Sequence, residues 1–324
     1  MTLQTYPYRY VLPRLSQKTF DSVSKCLVSK KDSAKIFEKD LRVLGEIFEY
    51  VKLDSPLLYY VDNVQFQTYS ESPITTIKPI YNNYKDDLSL LHQIEEIGSR
   101  ITSRVSTVDQ WNAMLYLHDT ICKNVVYEDV GQDAHTIVGA LLNKRAVCDG
   151  ISKAFKYFCD LLGIQCCVVT GKAKRSYDMF VFESHAWNKV FFNGMWYNVD
   201  VTYDLTIGNS EYIRHDYFMV SDQSISSSHQ ENSIKFPATA GAQDYFTVNR
   251  LVMNTQKDLT EYIRTNYKKG VRFFEVKLPS IQNIDAIESK ILNAASQALK
   301  FQKIMFRAEV YSNKDMLVFG INIL

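Results

Sequence analysis

Arg145-Ala-Val-Cys148-Asp-Gly150-Ile-Ser-Lys-Ala-Phe155-Lys-Tyr-Phe158-Cys-Asp-Leu-Leu162-Gly163 is the stretch on which the reading of this chain turns. Ile151, Ala154, Phe155, Phe158 and Leu162 recur at three- and four-residue spacing, which predicts a helix over Gly150–Leu162 with one apolar stripe. Gly163 stands where a helix C-terminus wants a left-handed residue. Cys148 falls just ahead of that helix, where unpaired N–H groups and the positive end of the helix dipole stabilise a thiolate. Asp149 adds an opposing charge beside it. Taken alone, a cysteine next to an apolar helix is more often a small buried hydrophobe than a nucleophile.

A nucleophilic cysteine needs a base, and the base needs an orienting group. Working outward, Asn193-Gly194 lies between two strand-like runs, Glu183–Phe192 and Met195–Asp200, and is a strong signal for a two-residue type I′ hairpin turn. In that register Phe192 faces Met195, and counting outward Asp200 faces Trp187. His185 is two residues from Trp187, so it shares a face with Asp200 and sits diagonal to it. Diagonal side chains lie roughly 7–8 Å apart at Cα, within reach of an imidazole and a carboxylate. A slip of one residue would put the two on opposite faces. His185 or Asp200 alone reads better as a satisfied strand histidine or a turn-side acid; the pairing, joined to a cysteine at a helix start, reverses that preference.

With these residues in view, the sequence resembles the transglutaminase-like superfamily in its bacterial form. The resemblance is carried by Lys144-Arg-Ala-Val-Cys148-Asp-Gly-Ile-Ser-Lys-Ala-Phe, by His185-Ala-Trp-Asn-Lys-Val and by Trp196-Tyr-Asn-Val-Asp200-Val-Thr-Tyr. It runs from about Asp109 to His229 and takes in Tyr217-Phe218-Met-Val-Ser-Asp. It implies an α+β, papain-like core in which a helix-borne cysteine packs on an antiparallel sheet carrying the histidine and the aspartate. Cys148 would be nucleophile, His185 base and Asp200 orienter, with Trp187, His135 and Tyr203 as candidate substrate-binding residues. The segment around Cys148 lacks the Gly-Gln-Cys-Trp run of animal transglutaminases, and Tyr203 stands where related bacterial sequences usually carry Trp.

The flanks fill in the organisation. At 324 residues the chain has room for roughly two domains at about 150 residues each. Residues 17–53 read as helical through Phe37, Leu41, Leu44, Phe48 and Val51, followed by short extended runs such as Val64-Gln65-Phe66-Gln67. Further helices are expected over Asp86–Val105 and from a Thr107-x-x-Gln110 capping box onward. Residues 221–244 are polar and read as a linker. The pattern after it, strand (Tyr245–Val252), helix (Gln256–Lys268), strand (Val271–Lys277), helix (Ile284–Phe301) and a strand pair across Asn313–Asp315, is βαβαββ. Phe306, Ala308 and Val310 alternate with Arg307, Glu309 and Tyr311, as a half-buried strand requires. The expected division is a helical and extended region over 1–106, a catalytic core over 107–230 and a small α/β module over 245–324.

Composition narrows the functional classes. A net charge of +1 with no basic stripe argues against a nucleic-acid partner, and no run approaches the roughly 20 apolar residues of a membrane span. There is no apolar leader at the N-terminus and no C-x-x-C pair among the six cysteines, so reduced thiols and a cytoplasmic setting are expected, or export if a leader has been removed. No Walker loop or GxGxxG fingerprint points to a cofactor. His118 and Cys122 are i, i+4 on a helix, but no third metal ligand is evident, so a core role is favoured and no metal is expected. Lys172, Lys174 and Arg175 read as surface, and Glu95-Glu96 as a solvated helix face. The function expected is a cysteine hydrolase of peptide or amide bonds working through an acyl-enzyme on a protein or peptide substrate. The alternatives are transfer of the acyl group to an amine, or an idle scaffold that binds peptide.

Overall fold

The computed structural model describes residues 5–175, 178–208, 212–233, 235–239, 241–279, 287–300 and 307–324. At its centre the helix Cys148–Leu161 packs against a five-stranded antiparallel sheet. The strands run in the order His229–Glu231, Cys166–Arg175, Asp178–Phe192, Met195–Val199 and Phe218–Val220. The apolar stripe read from the sequence is the packed face: Ile151, Ala154 and Phe155 are fully buried. Each buried Ile or Phe of this kind contributes roughly 1.5–3 kcal/mol. The helix ends as expected, with Gly163 at φ 69°.

Ser152 and Asn188 tie the helix to the sheet. The Ser152 hydroxyl donates to the carbonyls of Cys148 and Ala186, and the Asn188 amide donates to the Ser152 carbonyl. These bonds fix the start of the helix against the strand that carries His185. Gly150 is required by close approach: a Cβ there would lie 2.2 Å from the Ala134 carbonyl oxygen. The hairpin has the expected register, with Phe192 opposite Met195 and Asn188 opposite Val199. Its turn has Asn193 at φ 49° and Gly194 at φ 82°, the positive pair a type I′ turn demands.

Other expectations are corrected. The helical region over 17–53 is two helices, Arg14–Val28 and Leu41–Asp54, separated by a short strand, Ala34–Ile36. The break falls at Lys30, whose φ of 52° is incompatible with a continuing helix. The second helix starts from Asp40, whose side chain accepts the Arg42 N–H, leaving Phe37 outside it and exposed. The strand Ala34–Ile36 joins Thr75–Tyr81 and Val61–Thr68 in a three-stranded sheet. The next two helices are Leu88–Thr102, capped by Asp87, and Gln110–Asn124, capped by Asp109 in place of Thr107. One continuous apolar core joins these N-terminal elements to the central sheet.

The polar stretch 221–244 is more than a linker, because His229–Glu231 is the edge strand of the central sheet. Tyr245–Val248 is a helical turn and not a strand; Asp244 accepts the N–H groups of Phe246 and Thr247 and so winds that segment. Only a single bridge, Val252 to Lys277, remains of the expected first strand. The chain continues through the helix Gln256–Lys268, the strand Phe273–Lys277, the helix Ile287–Leu299 and the strands Ala308–Asn313 and Val318–Ile323. The three strands form a separate antiparallel sheet with its own apolar cluster. Ile284, Phe301 and Phe306 lie outside the described residues. Among the described residues no helix is long and apolar enough to cross a membrane, and all six cysteines are free thiols.

Candidate active site

Cys148 is the first residue of its helix, not the residue before it, and Val147 in the cap position offers no side-chain cap. The thiol is half-buried. The preceding residues Arg145 and Ala146 pair in parallel with Val126 and Tyr127, which puts the exposed Tyr127 beside the approach to Cys148. Its phenol is pushed up to about 12 by burial and by the negative charge of Cys148, Asp200, Asp149 and Asp129.

His185 projects from the strand Asp178–Phe192, and Asp200 is the first residue beyond the strand Met195–Val199. The hairpin register brings them together as anticipated: His185 Nε2 is 2.6 Å from Asp200 Oδ2. The location of Asp200 differs by one step, because the chain turns there into the helix Val201–Ile207. Asp200 caps that helix by accepting the Tyr203 N–H through Oδ1, while its own N–H donates to the Tyr217 carbonyl. The carboxylate is therefore locked at both oxygens. The Cys148 side chain is near enough to the His185 ring to act on its charge.

A fourth residue completes the cluster. His229, on the edge strand, places Nε2 2.9 Å from the same Asp200 oxygen, and its Nδ1 lies 2.8 Å from the Ser228 hydroxyl. The edge strand is held by Lys189, a buried amine 2.6 Å from Glu231 and 2.9 Å from Asp222. His229 could not be found from the sequence, because a three-residue strand shows no alternation.

Burial favours neutral forms in this cluster, yet the two imidazoles diverge. For His185, burial is outweighed by Asp200 and, after it, by Cys148, which push its pKa up to about 10. For His229, burial wins over the pull of Asp200, and the neighbouring His185 cation pushes the same way, so it stays below its ordinary value and neutral. Asp200 is buried, but His185 and His229 hold it well below the usual carboxylate range. The arrangement near neutral pH is an imidazolium held against a carboxylate and beside Cys148, with a neutral histidine behind.

The remaining sequence candidates separate. Trp187 is 1% exposed, its indole N–H donates to Asn198, and its ring stacks 6.0 Å from that of His185. It supports the histidine from below and has no surface for a ligand. Tyr203 is half-buried, its hydroxyl bonds the Lys174 carbonyl, and its ring stands edge-on to His185 at 5.4 Å. It also borders a cavity of about 530 Å³ shared with Lys174, Tyr217, Asn313 and Asp315. His135 is exposed and 3.0 Å from Asp149, the neighbour of Cys148. Of the basic trio, Lys174 pairs with Asp315 at 3.2 Å and Lys172 is exposed.

Residues 95–201, about a third of the chain, match the model of the transglutaminase-like superfamily, and this segment carries Cys148, His185 and Asp200. Among curated proteins the chain is similar to the kyphoscoliosis peptidases of Mus musculus and Homo sapiens. The mouse protein is 26% identical over 116 residues, covering 31% of this chain and 18% of that protein. The human protein is 31% identical over 93 residues, covering 26% and 14%. The matched region thus spans less than a fifth of either relative. Among solved structures it is similar to a candidate cysteine protease from Cytophaga hutchinsonii, with TM-score 0.29, 14% identity and coverage of 43% of this chain and 61% of that one. A TGase gives TM-score 0.28, 15% identity and 44% coverage of each chain.

Proposed function

We propose that the chain hydrolyses peptide or amide bonds through an acyl-enzyme on Cys148. The observation that carries this reading is the 2.6 Å contact of His185 with Asp200 on a ring that also engages Cys148. The thiolate attacks the carbonyl carbon, and the π pair moves to oxygen, where the backbone N–H at the uncapped helix start helps to hold the oxyanion. Collapse of the adduct expels the amine, which takes its proton from His185, and leaves a thioester. A water then attacks the thioester, His185 takes its proton, and Cys148 departs as thiolate with release of the carboxylic acid. Asp200 keeps the imidazole oriented and stabilises its cation throughout. The substrate is a protein or peptide passing between Tyr127 and Tyr203. The peptidase names of the vertebrate relatives favour hydrolysis as the fate of the acyl group.

The test is intact-mass analysis of the full chain with peptide esters and amides, with and without a primary amine. The expected result is a transient acyl adduct confined to Cys148 and a free acid product even when the amine is present. An amide of the added amine as the main product would replace hydrolysis by transfer. No adduct on Cys148 with any acyl donor would leave a binding scaffold.

A further inference from the structure

One turn along the helix that Asp200 caps, a second cluster lies outside the Cys148–His185–Asp200 chemistry. His118, on the helix Gln110–Asn124, is fully buried. Its Nδ1 is 3.0 Å from Asp119 Oδ1, and its Nε2 is 3.1 Å from Asp204 Oδ2. His215 places Nε2 3.0 Å from the same Asp119 oxygen, and its Nδ1 is 2.7 Å from Glu275 Oε2. All four ring nitrogens therefore face carboxylate oxygens. Where all the facing carboxylates accept, each ring nitrogen carries a proton, making two imidazolium cations with ring centroids 5.4 Å apart and planes inclined by 31° in a buried site.

One divalent cation in place of the two inner protons removes that repulsion. Each imidazole becomes neutral, turns its inner lone pair to the ion and donates its outer N–H to a carboxylate, Asp204 behind His118 and Glu275 behind His215. Carboxylates in this outer position are how metal-binding histidines are commonly oriented. We propose that His118 Nδ1, His215 Nε2 and Asp119 Oδ1, which lie within 4.8 Å of one another, bind a divalent transition-metal ion of the zinc class. With metal–ligand bonds of about 2.0–2.1 Å, the 3.0 Å separations correspond to an angle of roughly 90–95° at the ion, and a shift of a few tenths of an ångström opens it toward tetrahedral. Asp119 has a side chain 27% exposed, so a water completes the shell from that side.

Binding releases the two inner protons, and no redox step is involved. Cys122, paired with His118 by spacing, is 3.9 Å from the outer nitrogen, Nε2, and stays outside the ligand set. The missing third ligand comes from Asp119 and from His215, far along the chain. The His185–Asp200–His229 cluster has similar spacing, but there one cationic ring and one neutral ring share a single carboxylate oxygen, so no pair of buried cations calls for an ion. The ion would join the helix Gln110–Asn124 to the segment entering the strand Phe218–Val220 and, through Glu275, to the C-terminal sheet.

The test uses the full chain as the Cys148→Ala variant, which removes the thiol that would itself capture zinc. After chelator treatment, titration with zinc chloride is expected to show one tight site and a rise in Tm. Asp119→Asn and His215→Gln should weaken it at least 100-fold, while His229→Gln leaves it in place. X-ray absorption at the zinc edge needs only the Cys148→Ala protein and should show imidazole and oxygen ligands with no sulfur. Absence of binding at tens of micromolar zinc, a sulfur ligand, or binding lost only with His229→Gln would overturn the assignment.

Discussion

His229 sits 2.9 Å from the Asp200 oxygen that His185 holds at 2.6 Å, so one carboxylate atom serves two imidazoles, one cationic and one neutral. The neutral His229 ring spends an N–H on Asp200 and so fixes the carboxylate without competing for a proton. His229→Leu is expected to lower kcat about 10–100-fold with little change in KM, because it touches Asp200 and not substrate. His229→Gln, which keeps an N–H donor, should recover most of the loss. If Leu and Gln behave alike, the effect is one of packing and the positioning role is wrong.

Asp200→Asn removes the charge and keeps an oxygen able to accept the Tyr203 N–H, so the helix start should survive. Turnover should fall by roughly 10²–10⁴-fold, because the imidazole loses both its orientation and the partner for its cation. Steady-state kinetics beside a melting curve checks this. A variant that melts normally and turns over normally would remove Asp200 from the mechanism.

The thiols differ enough for a labelling experiment. Burial pushes Cys159 and Cys167 well up, and Cys26 and Cys122 up as well. Cys148 is half-buried beside a cationic ring. Limiting iodoacetamide near pH 7 should therefore modify Cys148 first, and Cys148→Ala should leave the folded chain nearly unlabelled. Equal labelling of Cys122 and Cys148 by peptide mapping would defeat this.

His185 gives a pH dependence of definite sign. Its folded pKa is raised from 6.5 to about 10, so its contribution to stability is complete below about pH 6.5 and is lost as pH climbs through 10. At about 1.4 kcal/mol per unit, the full contribution is of order 3–5 kcal/mol. Wild type should exceed His185→Gln in stability at pH 6, and the gap should close by pH 10.5. Denaturant unfolding at the two pH values measures it, and a gap that widens with pH would contradict the assignment.

The legible part of the molecule is the part built from local rules. The stripe Ile151–Phe158, the glycine at 163 and the Asn193-Gly194 turn each have one reading, and together they place the cysteine, histidine and aspartate by sequence alone. His229 and His215 escape such a reading for a common reason. Each lies in a short polar segment whose position is set by distant partners, Lys189 with Glu231 in one case and Glu275 in the other. Trp187 is a support and not a binding residue, because facing the right way in a register says nothing about depth. The Tyr245–Val252 run has the composition of a strand, but Asp244 in front of it offers a cap that a propensity count does not weigh.

The C-terminal sheet is separate in its pairing yet joined to the core by buried charge. Arg214 is 2% exposed and held by Asp216 at 2.9 Å and by Glu275 at 3.1 Å, the latter from the strand Phe273–Lys277. Tyr212 stacks on Phe273 at 3.9 Å across the same boundary. Removing Glu275 leaves Arg214 with Asp216 alone and strips His215 Nδ1 of its partner, a loss of about 1–3 kcal/mol for a buried polar group left unsatisfied. Glu275→Ala, measured with chelator present so that bound metal does not enter, should lower stability by that order. For the same reason residues 245–324 should unfold together with the core in one cooperative denaturant transition, followed in parallel by tryptophan fluorescence, whose indoles all lie before residue 245, and by far-UV circular dichroism of the whole chain. Two resolved transitions, or a Glu275→Ala protein as stable as wild type, would mean that the C-terminal sheet is an independently folding attachment whose buried ion pairs contribute nothing to the catalytic core.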